Sequence, residues 1–125
     1  MVKFTLCVSA VLTLSGRPVA AVDTLPGESA EEFFEQKVRP LLLEHCGKCH
    51  AEQKQWGGLR LDSREAMLKG GENGPVLTPG KPNESLMIEA IRQTGDLQMP
   101  PETKLPEVEI AILEKWVADG AHWPA

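Results

Sequence analysis

Residues 46–50 read Cys46-Gly47-Lys48-Cys49-His50, two thiols three positions apart with an imidazole directly after the second. One turn of chain at this spacing presents both sulfurs together, and the motif matches what a porphyrin requires: two thioether bonds to its vinyl groups and one imidazole on its iron. With three Cys and three His in 125 residues, chance supplies the motif about 0.002 times per chain of this composition. The motif is therefore read as chemistry, and the expectation is one covalently bound haem c on Cys46 and Cys49, with His50 as an iron ligand.

Two other chemistries use similar residues. A redox-active dithiol places its Cys-x-x-Cys at a helix start within a βαβ pattern, whereas this pair follows a helical pattern with no strand pattern beside it. A structural zinc site could combine Cys46, Cys49 and His50 with His45 or His122, but the usual second pair of ligands at regular spacing is missing.

A second iron ligand has to come from distant sequence, and the candidates are Met67, Met87, Met99, His45 and His122. Met67 and Met87 fall in helical patterns, where methionine usually fills core space. Met99 stands before Pro100 and Pro101, whose fixed backbone can hold a thioether in place at little further entropy cost. His45 immediately precedes Cys46 and is expected at the surface or packed within the first helix. His122 is expected at the surface. The expected metal ligands are thus His50 and Met99.

Outward from the motif, the chain reads as one all-α domain of about four short helices with long loops. Ser29 and Glu32 form a capping-box pattern, followed by Phe34, Val38, Leu41, Leu42 and His45 at helical spacing, which predicts a first helix over 30–45. Pro40 predicts a kink or break within it. A second helix is predicted over 64–69, capped by Asp62 or Ser63 and stopped by Gly70 and Gly71. Asn83 is the predicted cap of a third helix over 84–93, ended by Gly95. The fourth opens near Pro106, carries Glu107 and Glu109 first and Lys115 last, and stops at Gly120, with Ile110, Leu113, Trp116 and Val117 as its core stripe. Apart from the brief Gly58 to Leu61 stretch, no strand pattern occurs.

Upstream, Lys3 precedes an apolar run from Phe4 to Leu14, and Val19-Ala20-Ala21 supplies small residues for cleavage. Residues 1–21 are predicted to be a secretory signal peptide, removed after Ala21, with 22–29 a flexible lead-in and 30–125 the domain. The apolar run is too short to remain as a membrane span, so no stable membrane insertion is expected after cleavage. Loss of Lys3 and Arg17 leaves 11 basic against 18 acidic side chains, a net charge of −7, which argues against a nucleic-acid partner. Export to a periplasmic or equivalent compartment also bears on the motif, because an unmodified cysteine pair there would tend to form a disulfide. Only three Trp, three Phe and no Tyr are present, so the core lacks large flat fillers and a porphyrin would supply one.

The chain resembles the planctomycete-type cytochrome c domain, within the class I cytochrome c superfamily. The resemblance spans about Phe33 to Pro124 and rests on Val38-Arg39-Pro40, the Cys46 to His50 motif, Gly57-Gly58-Leu59-Arg60-Leu61-Asp62, Pro79-Gly80-Lys81-Pro82, Met99-Pro100-Pro101 and Gly120-Ala121-His122-Trp123-Pro124. It implies haem c, His50 as proximal and Met99 as distal ligand, and packing of the first helix across the last. It also implies a Gly74-Pro75 carbonyl directed at the proximal imidazole. Trp56, Arg60, Arg64 and Arg92 are candidates to meet a haem propionate, with a solvated or packing role the expectation for any one of them.

The function expected from these readings is single-electron transfer to and from redox partner proteins, by a carrier rather than an enzyme. A His50/Met99 pair leaves no open coordination position, which disfavours a haem-based sensor or peroxidase-like enzyme. A structural zinc-binding module is the remaining alternative.

Overall fold

The computed structural model describes residues 26–125, so the expected signal segment and its cleavage position lie outside the described residues. Among the described residues the chain is mostly helical, with four main helices.

The first helical run covers 30–46. Its start is the predicted capping box: Ser29 Oγ accepts the Glu32 N–H at 3.1 Å while the Glu32 carboxylate accepts the Ser29 N–H at 2.8 Å, so two otherwise orphaned donors are satisfied reciprocally. Pro40 does not break the run. It sits in a short α turn, Arg39–Leu41, flanked by wider π turns at Phe34–Val38 and Leu42–Cys46. Proline lacks an N–H and crowds the carbonyl one turn back, and bonds reaching five residues back, Arg39 N–H to the Phe34 carbonyl and Gly47 N–H to the Leu42 carbonyl, let the helix continue around it.

A minimal antiparallel hairpin follows, His50–Ala51 against Lys54–Gln55, with His50 opposite Gln55. This corrects the purely helical expectation, and the extended Gly58 to Leu61 stretch forms no strand. Two residues per strand are too few to leave a period-two signature.

The second helix, Arg64–Lys69, is capped by Ser63, whose Oγ accepts the Ala66 N–H at 3.1 Å. The third, Leu86–Arg92, starts later than predicted because Pro82–Glu84 forms a separate tight turn. Asn83 does not cap it and instead accepts from Arg92 at 2.9 Å. Its end is Gln93, in the left-handed region at φ 58°, rather than Gly95. The buried Ser85 hydroxyl bonds Thr78 N–H, Thr78 carbonyl and Lys81 carbonyl, tying the loop before this helix together. The fourth helix, Glu107–Ala118, matches its prediction, with Ile110, Leu113, Trp116 and Val117 all buried.

The first helix packs on the fourth through aromatic contact. The Phe34 and Trp116 ring centroids are 5.8 Å apart and Trp123 closes over Phe34 at 4.6 Å. Trp116 Nε1 donates to the His122 carbonyl at 2.7 Å, which gives the buried indole its polar partner and folds the terminal segment back on the core. Phe34 and Trp116 are 0% and 2% exposed, so this cluster anchors the interior at the end of the first helix away from Cys46.

Candidate cofactor site

At the other end of the first helix the chain leaves the π turn into Cys46–His50. Cys49 N–H donates to the Cys46 carbonyl at 3.2 Å, which closes the motif into one turn. The hairpin then fixes its far side: Trp56 N–H donates to the Cys49 carbonyl at 3.1 Å and Leu61 N–H to the His50 carbonyl at 2.8 Å. Gly47 admits no larger residue comfortably, since a Cβ there would stand 3.1 Å from the Leu43 carbonyl oxygen.

Cys46, Cys49, His50 and Met99 all line one open-mouthed cavity. Most of its wall is apolar, with Leu59, Leu61, Val76 and Ile91 among the lining residues. Part of the wall is bare backbone. The Gly57 carbonyl accepts the Glu72 N–H at 2.9 Å, and a Cβ on Gly71 would meet that carbonyl oxygen at 2.5 Å and Leu59 Cβ at 3.1 Å. Glycine at 71 is therefore a condition of this close approach.

Met99 is carried by a loop attached to the third helix. Its N–H donates to the Ala90 carbonyl at 3.0 Å, and the Met99–Pro100 peptide bond is cis. Of the other ligand candidates, Met67 is wholly buried in the core and does not line the cavity, and His122 is exposed. Met87 lines the cavity from the third helix. His45 also lines it, which corrects its expected place at the surface or within helix packing. The wide turn at Leu42–Cys46 places it there, with a Glu109 carboxylate oxygen 3.0 Å from His45 Nε2.

The motif's chemistry fits a porphyrin better than its rivals. Neither Cys46 nor Cys49 is in a disulfide. Burial, with a smaller contribution from Cys49, pushes the Cys46 thiol up to about 11, the opposite of the depressed value an attacking redox thiol needs. No cluster of three or more His, Cys, Asp or Glu among the described residues is arranged to hold a metal ion, which disfavours the zinc site. His50 Nδ1 is buried without a hydrogen-bond partner. The anticipated Gly74-Pro75 contact to it is thus not made, and the Gly74 carbonyl accepts from Gly71 instead.

The four propionate candidates separate. Arg60 pairs with Asp62, Arg64 donates to the Ala121 and Gly120 carbonyls, and Arg92 is held by Glu114 and Asn83. Trp56 alone among them lines the cavity, exposed at its mouth with Lys54 Nζ 4.2 Å from its ring centroid.

Residues 46–103, from the first cysteine through the Met99 loop, match the family described as planctomycete cytochrome C. Over this segment the chain resembles planctomycete cytochrome C. The matched segment contains Cys46, Cys49, His50 and Met99 but neither residues 30–45 of the first helix nor the fourth helix. The chain is also similar to a protein named cytochrome c55X from Pseudomonas aeruginosa, 37% identical over 84 residues, covering 62% of this chain and 58% of that relative. The chain therefore spans somewhat over half the length of the cytochrome it matches. No solved structure matches the chain. Among the described residues, no helix is long and apolar enough to cross a membrane.

Proposed function

We propose that the chain is an exported monohaem c-type cytochrome that transfers single electrons between redox partner proteins. The observation that carries this reading is the convergence of both free thiols, His50 and Met99 on one mostly apolar cavity. Bound haem supplies an iron that cycles between ferric and ferrous states.

Cys46 and Cys49 would tether it from a single turn, so the first helix and the hairpin set its position. His50 and Met99 would both hold its iron, which leaves no position for a substrate and supports a carrier over an enzyme. A thioether ligand favours ferrous iron and raises the potential relative to two imidazoles. The apolar wall keeps water from the site, and the mouth beside Trp56 offers the approach for a partner. Residues 1–21 would serve as the export signal, with 30–125 as the functional domain.

Expression of the full precursor in a host with periplasmic haem-attachment machinery tests the reading. A haem that survives denaturation, with low-spin spectra in both oxidation states, is the expected result. Colourless, correctly processed protein with both sulfurs open to alkylation overturns it. High-spin ferrous haem that binds carbon monoxide readily would favour the sensor or peroxidase-like reading instead.

A further inference from the structure

Three buried side-chain polar atoms among the described residues have no hydrogen-bond partner: His50 Nδ1, His45 Nε2 and Glu109 Oε2. The last two are 3.0 Å apart, one from the end of the first helix and one from the first turn of the fourth, with no hydrogen bond formed between them. Both residues keep partly exposed side chains, so the pair has a route for protons to solvent while the facing atoms themselves are sealed. Two lone pairs facing each other at this distance repel, and the contact is favourable only when a proton lies between them. The pair therefore retains one proton and carries a net charge of −1 when the imidazole is neutral. Binding a second proton brings it to zero.

His45 lines the same cavity as Cys46, Cys49 and His50. Glu109 is the group on the fourth helix that faces it, while Glu107 in the same turn is paired with Lys104 at 3.1 Å. On the first helix Glu44 is exposed, and Lys48 and Glu102 from the adjoining loops are exposed as well. The Cys46 thiol beside His45 is kept protonated by burial. No other charge competes for the two facing atoms within hydrogen-bonding reach.

We propose that His45 and Glu109 form a proton-binding site coupled to the electron held in this cavity, so that reduction of the bound group is accompanied by proton uptake at the pair. The proposal rests on the haem reading. Reduction adds one negative charge to the cavity, and a pair at net zero is then favoured over one at −1, since like charges in a poorly screened wall repel. In balance, one electron enters the iron from the redox partner and a proton, taken from water, joins the imidazole. Oxidation releases both. The sign follows: the reduced state binds the proton more tightly, so the midpoint potential falls as pH rises through the range in which the pair gives up its second proton, and is level on either side.

Spectroelectrochemistry on the haem-loaded full chain from pH 5 to 9 tests this, with His45→Gln and Glu109→Gln measured alongside. The expected result is a potential that falls across that range in the unaltered protein, with the fall abolished in His45→Gln. In Glu109→Gln, which keeps the shape but removes the charge, the fall should move to lower pH and the potential at high pH should rise. The proposal is overturned by a level profile in the unaltered protein, or by a fall that persists unchanged in His45→Gln while the haem remains covalently attached. A variant that does not fold leaves the other to decide, since either alone must alter the profile. Loss of the haem reading shows separately, as colourless protein, and would remove the proposal with it.

Discussion

The Met99 backbone N–H is bonded to the Ala90 carbonyl at 3.0 Å, so the loop that presents the thioether is fastened to a helix whose inward face, Met87, Ile88, Ala90 and Ile91, is buried. That bond involves no side chain of Met99. Met99→Ala should therefore leave the loop in place and remove only the sulfur. The expected protein carries haem but has a lower potential and a ferrous state that binds carbon monoxide, measured by redox titration and absorption spectra; spectra unchanged from the parent would assign the distal ligand elsewhere, with Met87 next to be tested.

The elevated Cys46 thiol makes a pH prediction for protein without haem. A thiol whose folded value stands near 11 against an ordinary 9.0 is protonated through the neutral range, and only the thiolate reacts with iodoacetamide. Cys46 alkylation should stay slow at pH 8 and accelerate toward pH 11 while the fold persists. The sign for stability follows the same shift: the contribution is complete below pH 9 and is lost as pH rises toward 11, because the unfolded chain releases this proton first. Iodoacetamide labelling rates from pH 8 to 11 check the first, and denaturant titrations at pH 8 and 10.5, compared with Cys46→Ala, check the second.

Trp116 links the first helix to the terminal segment by ring contact with Phe34 and by its hydrogen bond to the His122 carbonyl. Trp116→Ala should cost about 3–5 kcal/mol, the range for a large buried aromatic, and Trp116→Phe about 1–2 kcal/mol, since it removes the hydrogen bond to the His122 carbonyl. Urea unfolding monitored by far-UV circular dichroism measures both. Equal losses in the two variants would show that the hydrogen bond, rather than ring volume, holds the segment.

Gly71 faces the Gly57 carbonyl so closely that a methyl group cannot enter without moving backbone. Gly71→Ala should destabilise the protein by about 1–3 kcal/mol and open the wall of the cavity that both glycines line. The combined expectation is a lower thermal midpoint and a reduced yield of haem-loaded protein. Normal yield and stability would mean that the 57–58 loop yields freely.

Local rules made much of this molecule readable in advance. The capping box at Ser29, the Ser63 cap, the glycine stop at Gly70 and the buried stripe of the fourth helix depend on neighbours within four residues, and each is found where the pattern places it. Competing local signals were harder to read. Pro40 marked a kink or break, and the run continues past it with widened turns on both sides, held by buried Phe34, Val38, Leu41 and Leu42. Asn83 suggested a cap, but its side chain is taken by Arg92 from the far end of the same helix.

The site divides along the same line. Cys46, Cys49 and His50 are contiguous, so their chemistry is legible from spacing alone, and Met99 could be singled out by the prolines that follow it. The meeting of these residues in one cavity is a tertiary fact, as are the exclusion of Met67 and the commitment of Arg64 and Arg92 to partners elsewhere. The same holds for the approach of Glu109 to His45 across 64 positions of sequence. Covalent spacing specifies which bonds a short segment can make. Which distant groups share one poorly solvated wall depends on how the helices pack, and no local pattern encodes that.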